Sequence, residues 1–358
     1  MKKSINIVST SKMGNGTFQA KYIPLSMVEN VEKILVIRKS TGPSIQKVKY
    51  YELPWLCKNF LFNHFITPVI LLCKVIDKKT DLILSYHFVP HAYFAFLVSI
   101  MSGKDFIFAQ TGGDIQEKFR KPFWRFFIKK VYLRAKYILV PGKQSRDFWA
   151  KNLPVKDKLH ILHSTIDIDK FKPNPTKKKD IDILYVGILN ERKQVDRIIK
   201  GFSLLVKKDN TLKLGIVGKG PLEKELKDLT KKLKIFSNVE FFGFRKDVSS
   251  FLLRSKIFIL ASKMEGLPVA LMEAMASGLL CVAPAVDNIP TVLRTGETGY
   301  LMQDSEQITI NKTIEEAYSK YSKNKHLRDN ARLVICDNYS HTYAINKWNE
   351  LLNYLRNE

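Results

Sequence analysis

The chain reads as an α/β protein built from two Rossmann-like domains. Three observations predict this class. Short β-branched runs alternate with helix-length segments almost throughout, and the alternation stops once and then restarts. The chain has 358 residues, 45% of them hydrophobic, which at ~150 residues per domain is enough for about two cores. Strands that alternate with helices imply parallel sheets covered on both faces.

In the first half the strand-like runs are Ile5–Ser9, Lys33–Ile37, Asp81–Ser85, Asp105–Ala109, Tyr137–Val140 and Lys158–Leu162. The second half restarts at Asp182–Val186 and continues with Lys213–Val217, Val239–Phe242, Ile257–Ala261 and Leu280–Ala283. Between the halves lies KFKPNPTKKKD, Lys170–Asp180, whose two prolines and lysine run continue neither element. The boundary is therefore expected near 172/173, with residues 1–172 as the first domain and 173–340 as the second. A last helix, about 341–358, carries Trp348, Leu351, Leu352 and Leu355 at helical spacing and is able to pack back on the first domain.

Composition excludes several classes. With 17 glycines, 14 prolines and four cysteines, the chain is neither disordered, collagen-like nor stapled by disulfides. Cys57, Cys73, Cys281 and Cys336 lie far apart in apolar stretches, without metal-ligand spacing, and read as buried thiols in a reducing compartment. The N-terminus lacks the apolar stretch of a signal peptide. The most apolar run, Phe60–Cys73, is interrupted by Asn63, His64 and Pro68. It falls short of the ~20 residues that cross a bilayer, so it is expected as a buried or surface-docked helix. Together these features predict a cytoplasmic protein.

The charge is uneven. The net is +25, and residues 1–180 hold 32 basic and 13 acidic residues against 27 and 21 in the rest. An excess concentrated in one half points to an anionic partner there. Lys118–Lys136, KFRKPFWRFFIKKVYLRAK, interleaves eight Lys/Arg residues with six aromatics. Cations on one side of a helix and aromatics on the other describe an interfacial helix on an anionic membrane. The competing reading is a core helix with solvated lysines. No nucleic-acid-binding motif accompanies the patch, so no nucleic-acid partner is expected.

The most specific pattern is IFILASKMEGLPVALMEAMASG, Ile257–Gly278. A hydrophobic strand ends in a loop, and a helix is expected to begin near Gly266-Leu267-Pro268, with Pro268 in its first turn. The amides of Gly266, Leu267, Pro268's neighbour Val269 and the helix start form an anion site at the carboxyl edge of a parallel sheet. Glu265 precedes the helix and Glu273 lies eight residues on, so both carboxylates can serve one site as acceptors for sugar and ribose hydroxyls. Taken alone, the spacing favours a helix-cap residue and a solvated surface charge over a site.

Read with its neighbours, this segment resembles the retaining, nucleotide-sugar-dependent glycosyltransferases of family 4, which have the GT-B fold. The resemblance runs from about Asp182 to Met302. VGILNERK (Val186–Lys193) is similar to the family's first loop, IVGKGPLEKEL (Ile216–Leu226) to its glycine-rich turn, VEFFGFRKDV (Val239–Val248) to its base-proximal segment, and MEGLPVALMEAMASG to its paired-glutamate motif, followed by ETGYLM (Glu297–Met302). The resemblance implies two Rossmann-like domains facing across a cleft. It places Glu265 and the Gly266–Val269 amides, with Leu267 and Pro268, at the donor sugar and phosphates. Glu273 would then meet the ribose, Lys193 the β-phosphate and the backbone near Phe244 and Arg245 the base. Gly187 and Gly218 lie in the donor loops; Gly218 and Gly220 fit a plain tight turn as well. The chemistry so implied needs no cofactor and no metal, only a nucleotide-sugar co-substrate, for which a uridine diphosphate sugar is favoured over a guanosine one. Two D-x-D triplets, Asp167-Ile168-Asp169 and Asp180-Ile181-Asp182, match the metal-binding pattern of another transferase fold but flank the expected linker and are set aside.

The first half resembles the family loosely. Gly14 and Gly16 follow the first strand, where backbone can approach a phosphate or acceptor, or where a turn simply needs them. His87 matches the family's first histidine. Thr111, in Thr111-Gly112-Gly113-Asp114, stands where the family has its second, and Asp114 matches the Asp of that turn. Ile188 and Thr165 also replace common family residues, an arginine and a glycine. These readings converge on a glycosyltransferase that elongates a lipid-linked saccharide from the inner membrane face. The alternative is a non-catalytic or partner-dependent subunit that keeps the fold.

Overall fold

Every strand pairing in the protein is parallel, the arrangement that nearly continuous apolar strands demand. The computed structural model describes residues 4–76, 79–111 and 114–357. The chain divides into two units, Met1–Thr165 with His341–Glu358, and Ile166–Ser340.

In the first unit, β1 (Ile5–Thr10), α1 (Asn15–Met27), β2 (Val31–Arg38), β3 (Val48–Glu52), α2 (Phe60–Ile76), β4 (Leu82–Tyr86), α3 (Tyr93–Ser102) and β5 (Asp105–Ala109) alternate. They are followed by α4 (Asp114–Phe119), α5 (Pro122–Arg134), β6 (Tyr137–Val140), α6 (Lys143–Asn152) and β7 (Leu159–Ile161). The sheet order is β3-β2-β1-β4-β5-β6-β7. β3 has no counterpart in the sequence reading: its VKYYE alternation is that of an edge strand and lacks the apolar run that marks the others. The winding reverses between β1 and β4, the topological switch point of the sheet.

The second unit holds β8 (Ile181–Val186), α7 (Val195–Val206), β9 (Leu214–Val217), α8 (Glu223–Lys232), β10 (Val239–Gly243), α9 (Ser249–Leu253) and β11 (Ser255–Ile259). Then come α10 (Val269–Ala276), β12 (Leu280–Pro284), β13 (Tyr300–Met302), α11 (Gln307–Ser319) and α12 (Lys325–Tyr339). Its order, β10-β9-β8-β11-β12-β13, reverses between β8 and β11. The final helix, α13 (His341–Asn357), belongs to the first unit. There Trp348, Leu351 and Leu352 are buried in one core with Phe18, Tyr22 and Leu25.

The division falls at Thr165/Ile166, seven residues before the position that composition indicates. The reason is local. Phe171 is buried in the second unit's core, and Arg332 donates to the carbonyls of Phe171 (3.0 Å) and Ile168 (3.3 Å). Lys179 donates to the Ser255 carbonyl at 2.6 Å. The lysine-rich run is thus a strap fastened along the second unit. Thr165 closes the first unit: its hydroxyl lies 2.7 Å from the Ala20 carbonyl and 2.8 Å from His341 Nδ1.

Two further readings are corrected. Cys57 and Cys281 are buried, but Cys73 is exposed and Cys336 half-buried, because each lies on the outward side of an amphipathic helix. The segment 118–136 is two helices with a break at Arg120 and Lys121. Pro122 forces Lys121 into an extended conformation (φ −86°, ψ 127°) and starts α5 afresh. The aromatics do not share one face either. Phe119 and Tyr132 are buried, Trp124 and Phe127 half-buried, and Phe123 and Phe126 stand exposed among the cations, with Lys130 Nζ 4.7 Å from the Phe126 ring.

Candidate active site at the switch point of the second unit

Two loops meet where the winding of the second sheet reverses. One follows β8 and ends in a short 3-10 turn, Glu191–Lys193, capped by the Asn190 side chain, which accepts from the Lys193 amide at 3.3 Å. The other follows β11 and leads to α10. Lys263 donates its backbone N–H to the Arg192 carbonyl at 2.9 Å, tying the loops together. The consequence is an ion pair between Lys193 Nζ and Glu265 Oε1, with side chains only 12% and 8% exposed. Ser262 Oγ donates to the same carboxylate oxygen at 2.7 Å. A pair this deeply desolvated is a poor source of stability, since removing two charges from water offsets their attraction. Its persistence is better explained by what it holds in place.

Four residues complete this arrangement, of which the sequence reading points only to Arg192, as a charge in place of the arginine missing at Ile188. Asp287, in a left-handed conformation (φ 48°) after β12, accepts the Glu265 N–H at 2.7 Å and fixes the loop. Tyr185 donates to the Ile188 carbonyl at 3.0 Å; burial, then the nearby Glu265 charge, pushes its phenol well above the usual range. Arg192 partly offsets that shift, so its charge is felt at the same place. Ser262 supplies the hydroxyl already described. Asp287, Tyr185 and Ser262 carry no sequence signal, because each acts through its position in the fold.

The remaining residues that the resemblance assigns to the donor divide in two. Gly187 and Gly218 answer to backbone packing. Gly218 has φ +144°, and a Cβ there would collide with the Gly187 carbonyl oxygen, just as one on Gly220 would meet the Leu189 carbonyl. Gly187 N–H reaches the Val217 carbonyl at 3.0 Å and Leu189 N–H the Lys219 carbonyl at 3.1 Å. The glycines let two loops run backbone against backbone. Gly266, by contrast, is exposed with open space where a Cβ would lie. Pro268 is the cap residue and α10 starts at Val269, one residue later than Pro268 as first helical residue would give. Leu267 and Val269 are half-buried beside it, and Phe244 (68% exposed) and Arg245 lie on the open loop after β10.

Glu273 lies mid-way along α10 and is not the solvated charge that spacing alone allows. Burial raises its carboxyl from 4.5 to about 7, with Lys170 opposing and Asp247 reinforcing the shift. Among the described residues no hydrogen bond or ion pair joins it to the Lys193–Glu265 pair; its charged neighbours are Lys170 and Asp247, themselves paired at 3.2 Å. The D-x-D residues Asp180 and Asp182 are engaged by Arg254 (2.6 Å) and Lys256 (2.7 Å).

In the first unit, a cavity of about 180 Å³ opens at the carboxyl edge of the sheet and includes Lys12, His87, Gln110, Thr111 and Lys118 in its lining. His87 and Thr111 are therefore brought together. Gly14 and Gly16 are not in the lining; they form the start of α1, with open space around both. Asp114 begins α4, and Gly112 and Gly113 lie outside the described residues.

Two doubly wound parallel units, each with polar side chains gathered at its switch point, define a protein of the GT-B class. Known proteins make this specific. Residues 167–334 match the family model for glycosyl transferases group 1. The putative colanic acid biosynthesis glycosyltransferase WcaL of Escherichia coli K12 is 29% identical over 174 residues, 45% of this chain and 43% of its own. N-acetyl-alpha-D-glucosaminyl L-malate synthase of Bacillus anthracis is 26% identical over 242 residues, 63% of this chain and 62% of its own. The matches thus span from under half to just over three-fifths of these relatives' lengths. Among solved structures, Anabaena Alr3699/HepE in complex with UDP and glucose shares the fold over 98% of this chain and 100% of that one, with a TM-score of 0.79 at 15% identity. The match to glycosyl transferases group 1 thus lies within the second unit.

Proposed function

We propose that this chain is a retaining, metal-independent glycosyltransferase of surface polysaccharide or glycolipid assembly. It moves a hexose or N-acetylhexosamine from a nucleotide diphosphate sugar to a lipid-linked saccharide. The observation that carries the reading is the Lys193–Glu265 pair, held at the second unit's switch point within the segment that matches the family. In the free protein each group neutralises the other. When a donor enters, the ammonium turns to the β-phosphate and the carboxylate to the sugar hydroxyls. The C1–oxygen bond to the diphosphate then breaks, the acceptor oxygen bonds to C1, and the acceptor proton passes to the departing diphosphate. Lys193 stabilises the charge that grows on that leaving group, and the exposed Gly266 leaves room for a ligand against backbone. Glu273, with no described side chain hydrogen-bonded to its carboxylate, is assigned to the ribose. HepE's complex with UDP and glucose supports uridine as the base.

The acceptor side rests on the first unit's surface. α2 turns Phe62, Phe65, Val69 and Ile76 outward, and α5 adds Phe123 and Phe126 beside Arg120, Lys121, Arg125, Lys129 and Lys130. Exposed aromatics among cations suit the headgroup region of an anionic bilayer. Among the described residues no helix is long and apolar enough to cross a membrane.

The purified chain is to be assayed alone against a panel of uridine and guanosine diphosphate sugars with lipid-linked acceptors. Turnover with a uridine donor is expected. Nucleotide binding without turnover would favour the partner-dependent subunit, which the Thr111 and Ile188 departures raise. For the surface, wild-type protein should sediment with anionic vesicles at low salt, and replacing Lys118, Arg120, Lys121, Arg125, Lys129 and Lys130 together by Gln should release it. Failure of the wild type to bind such vesicles refutes the membrane reading.

A further inference from the structure

We propose that Lys170, on the strap, is a positioning residue of the nucleotide site: its ammonium is the shared counter-charge of Asp247 and Glu273 and readies the Glu273 carboxylate for a ribose. The proposal rests on the assignment of Glu273 to the ribose, but the coupling of the three side chains is measurable without a ligand.

The strap is what brings Lys170 to α10. Arg332 of α12, which holds the Phe171 and Ile168 carbonyls, also donates to the Ala276 carbonyl, so one guanidinium clamps the strap to the last turn of α10. Pro173 lies against Gly278 just beyond that turn: a Cβ on Gly278 would come within 3.0 Å of the proline ring. Phe171 is buried in the same core as Leu271, Met272 and Met275. Lys170 itself sits in a local turn, its N–H donating to Asp167 Oδ1 at 2.9 Å. Glu273 stands three residues before Ala276, about one turn along the clamped helix.

The third member comes from the loop after β10, the loop that carries Phe244 and Arg245. Its Asp247 pairs with Lys170 Nζ at 3.2 Å and accepts the Ser249 N–H at 3.1 Å. Asp247 therefore sets the start of α9, which packs on α10. One cation and two carboxylates, from three separate segments, share one corner of the second unit.

As an isolated contact the Lys170–Asp247 pair carries little, because both side chains are about half exposed and water screens them. Its consequence falls on Glu273. Burial pushes that carboxyl up to about 7, Lys170 pulls it down and Asp247 pushes it further up. The other elements packed on α10 do not enter this balance: α9 and β12 contain no charged residue, and Arg332 of α12 is turned to carbonyls. Lys170 and Asp247 therefore set how much of Glu273 is ionised near neutral pH. The ionised form accepts from both hydroxyls of a ribose, whereas the protonated form gives up part of its accepting capacity to an O–H. Lys170 is the cation placed to favour the accepting form.

The test uses the full chain and two opposed variants. Thermal melts of each chain beside its Glu273→Gln derivative, from about pH 4 to 9, locate the Glu273 midpoint as the pH where the derivative's advantage levels off. Lys170→Gln should move that midpoint up and Asp247→Asn should move it down, each by about half a pH unit. Lys170→Arg should leave it in place. Asn at 247 keeps an oxygen for the Ser249 N–H, so α9 stays capped. Titration with uridine diphosphate near pH 7 should then be about twofold weaker in Lys170→Gln and tighter in Asp247→Asn. The 2′,3′-dideoxy compound, which lacks both hydroxyls, should respond to neither. A purely structural pair would weaken both variants alike, since either substitution breaks the same contact. Melting midpoints that move in the same direction, or not at all, overturn the proposal, as does an equal response of the two nucleotides. Failure of uridine diphosphate to bind the wild type refutes the donor reading itself, and the ribose role with it, whatever the ligand-free melts show.

Discussion

The two units share a winding and differ in what they place at its reversal. In the second, opposite charges meet: Lys193 and Glu265 come from loops after β8 and β11 and neutralise each other in a nearly buried pair. In the first, the corresponding loops after β1 and β4 bring Lys12 and His87 to one cavity, with the His91 ring 6.4 Å from that of His87. Backbone topology thus fixes where a ligand can be held, and the side chains fix which kind. A paired site can exchange its internal partner for a ligand that offers both phosphate and hydroxyls.

The largest expected effect comes from breaking the pair. Lys193→Ala and Glu265→Ala should each lower kcat/KM for transfer by about 10²–10³, the scale of losing one preorganised electrostatic contact. The double variant should be little worse than either single one, because the two act as a unit. Additive losses would show that they serve separate steps. Near-normal transfer by both single variants would remove the pair from the mechanism altogether.

Next is Gly218→Ala. The new methyl meets the Gly187 carbonyl, and φ +144° is strained for any side chain. Loss of about 3 kcal/mol from the second unit is expected, read from denaturant unfolding. A cost below about 0.5 kcal/mol would mean that the two loops part easily, which would weaken the claim that they hold Lys193 in place.

Much of this was legible in the sequence, and the limits follow from particular residues. The alternation of apolar runs and helices gave both sheets, since parallel strands buried on two faces announce themselves; β3 did not, because Lys49 and Glu52 belong to an edge. Lys193 and Glu265 could be nominated from local patterns. Their meeting across 72 positions could not. Asp287 and Tyr185 carry no local signal, since an Asp after a strand and a Tyr within one are ordinary. The strap after Ile166 misleads because lysines and prolines outnumber the one residue, Phe171, that anchors it. The break in the basic segment was readable at Pro122 and was outweighed by the continuous run of aromatics.

A smaller effect separates Glu273 from the exposed carboxylates. Burial raises its pKa from 4.5 to about 7. A raised acid favours the fold when protonated, so this contribution is fully present below pH 4.5 and is lost as pH rises through about 7. Glu273→Gln, which stays neutral, should therefore gain stability over the wild type above pH 7, by at most about 3 kcal/mol, and lose that advantage below pH 4.5. Uridine diphosphate affinity should follow the opposite course, rising through pH 7 as the carboxylate becomes a full acceptor, and the variant should flatten that rise. A melting difference that does not vary with pH would show that the carboxyl titrates normally.

The smallest expected effect tests the first unit's glycines against those of the second. Gly16 is the second residue of α1, and open space surrounds its would-be Cβ. Nothing in the fold therefore requires a glycine there, in contrast with Gly218. Alanine loses less backbone freedom on entering a helix, so Gly16→Ala should stabilise the first unit by about 0.5 kcal/mol. The informative measurement pairs this with acceptor use. If backbone at Gly16 must approach a ligand, the stabilised variant should show a raised KM for acceptor with an unchanged KM for donor. If both constants stay at wild-type values, Gly16 is a tolerated turn residue, and acceptor contact at this edge of the sheet falls to Lys12 and His87.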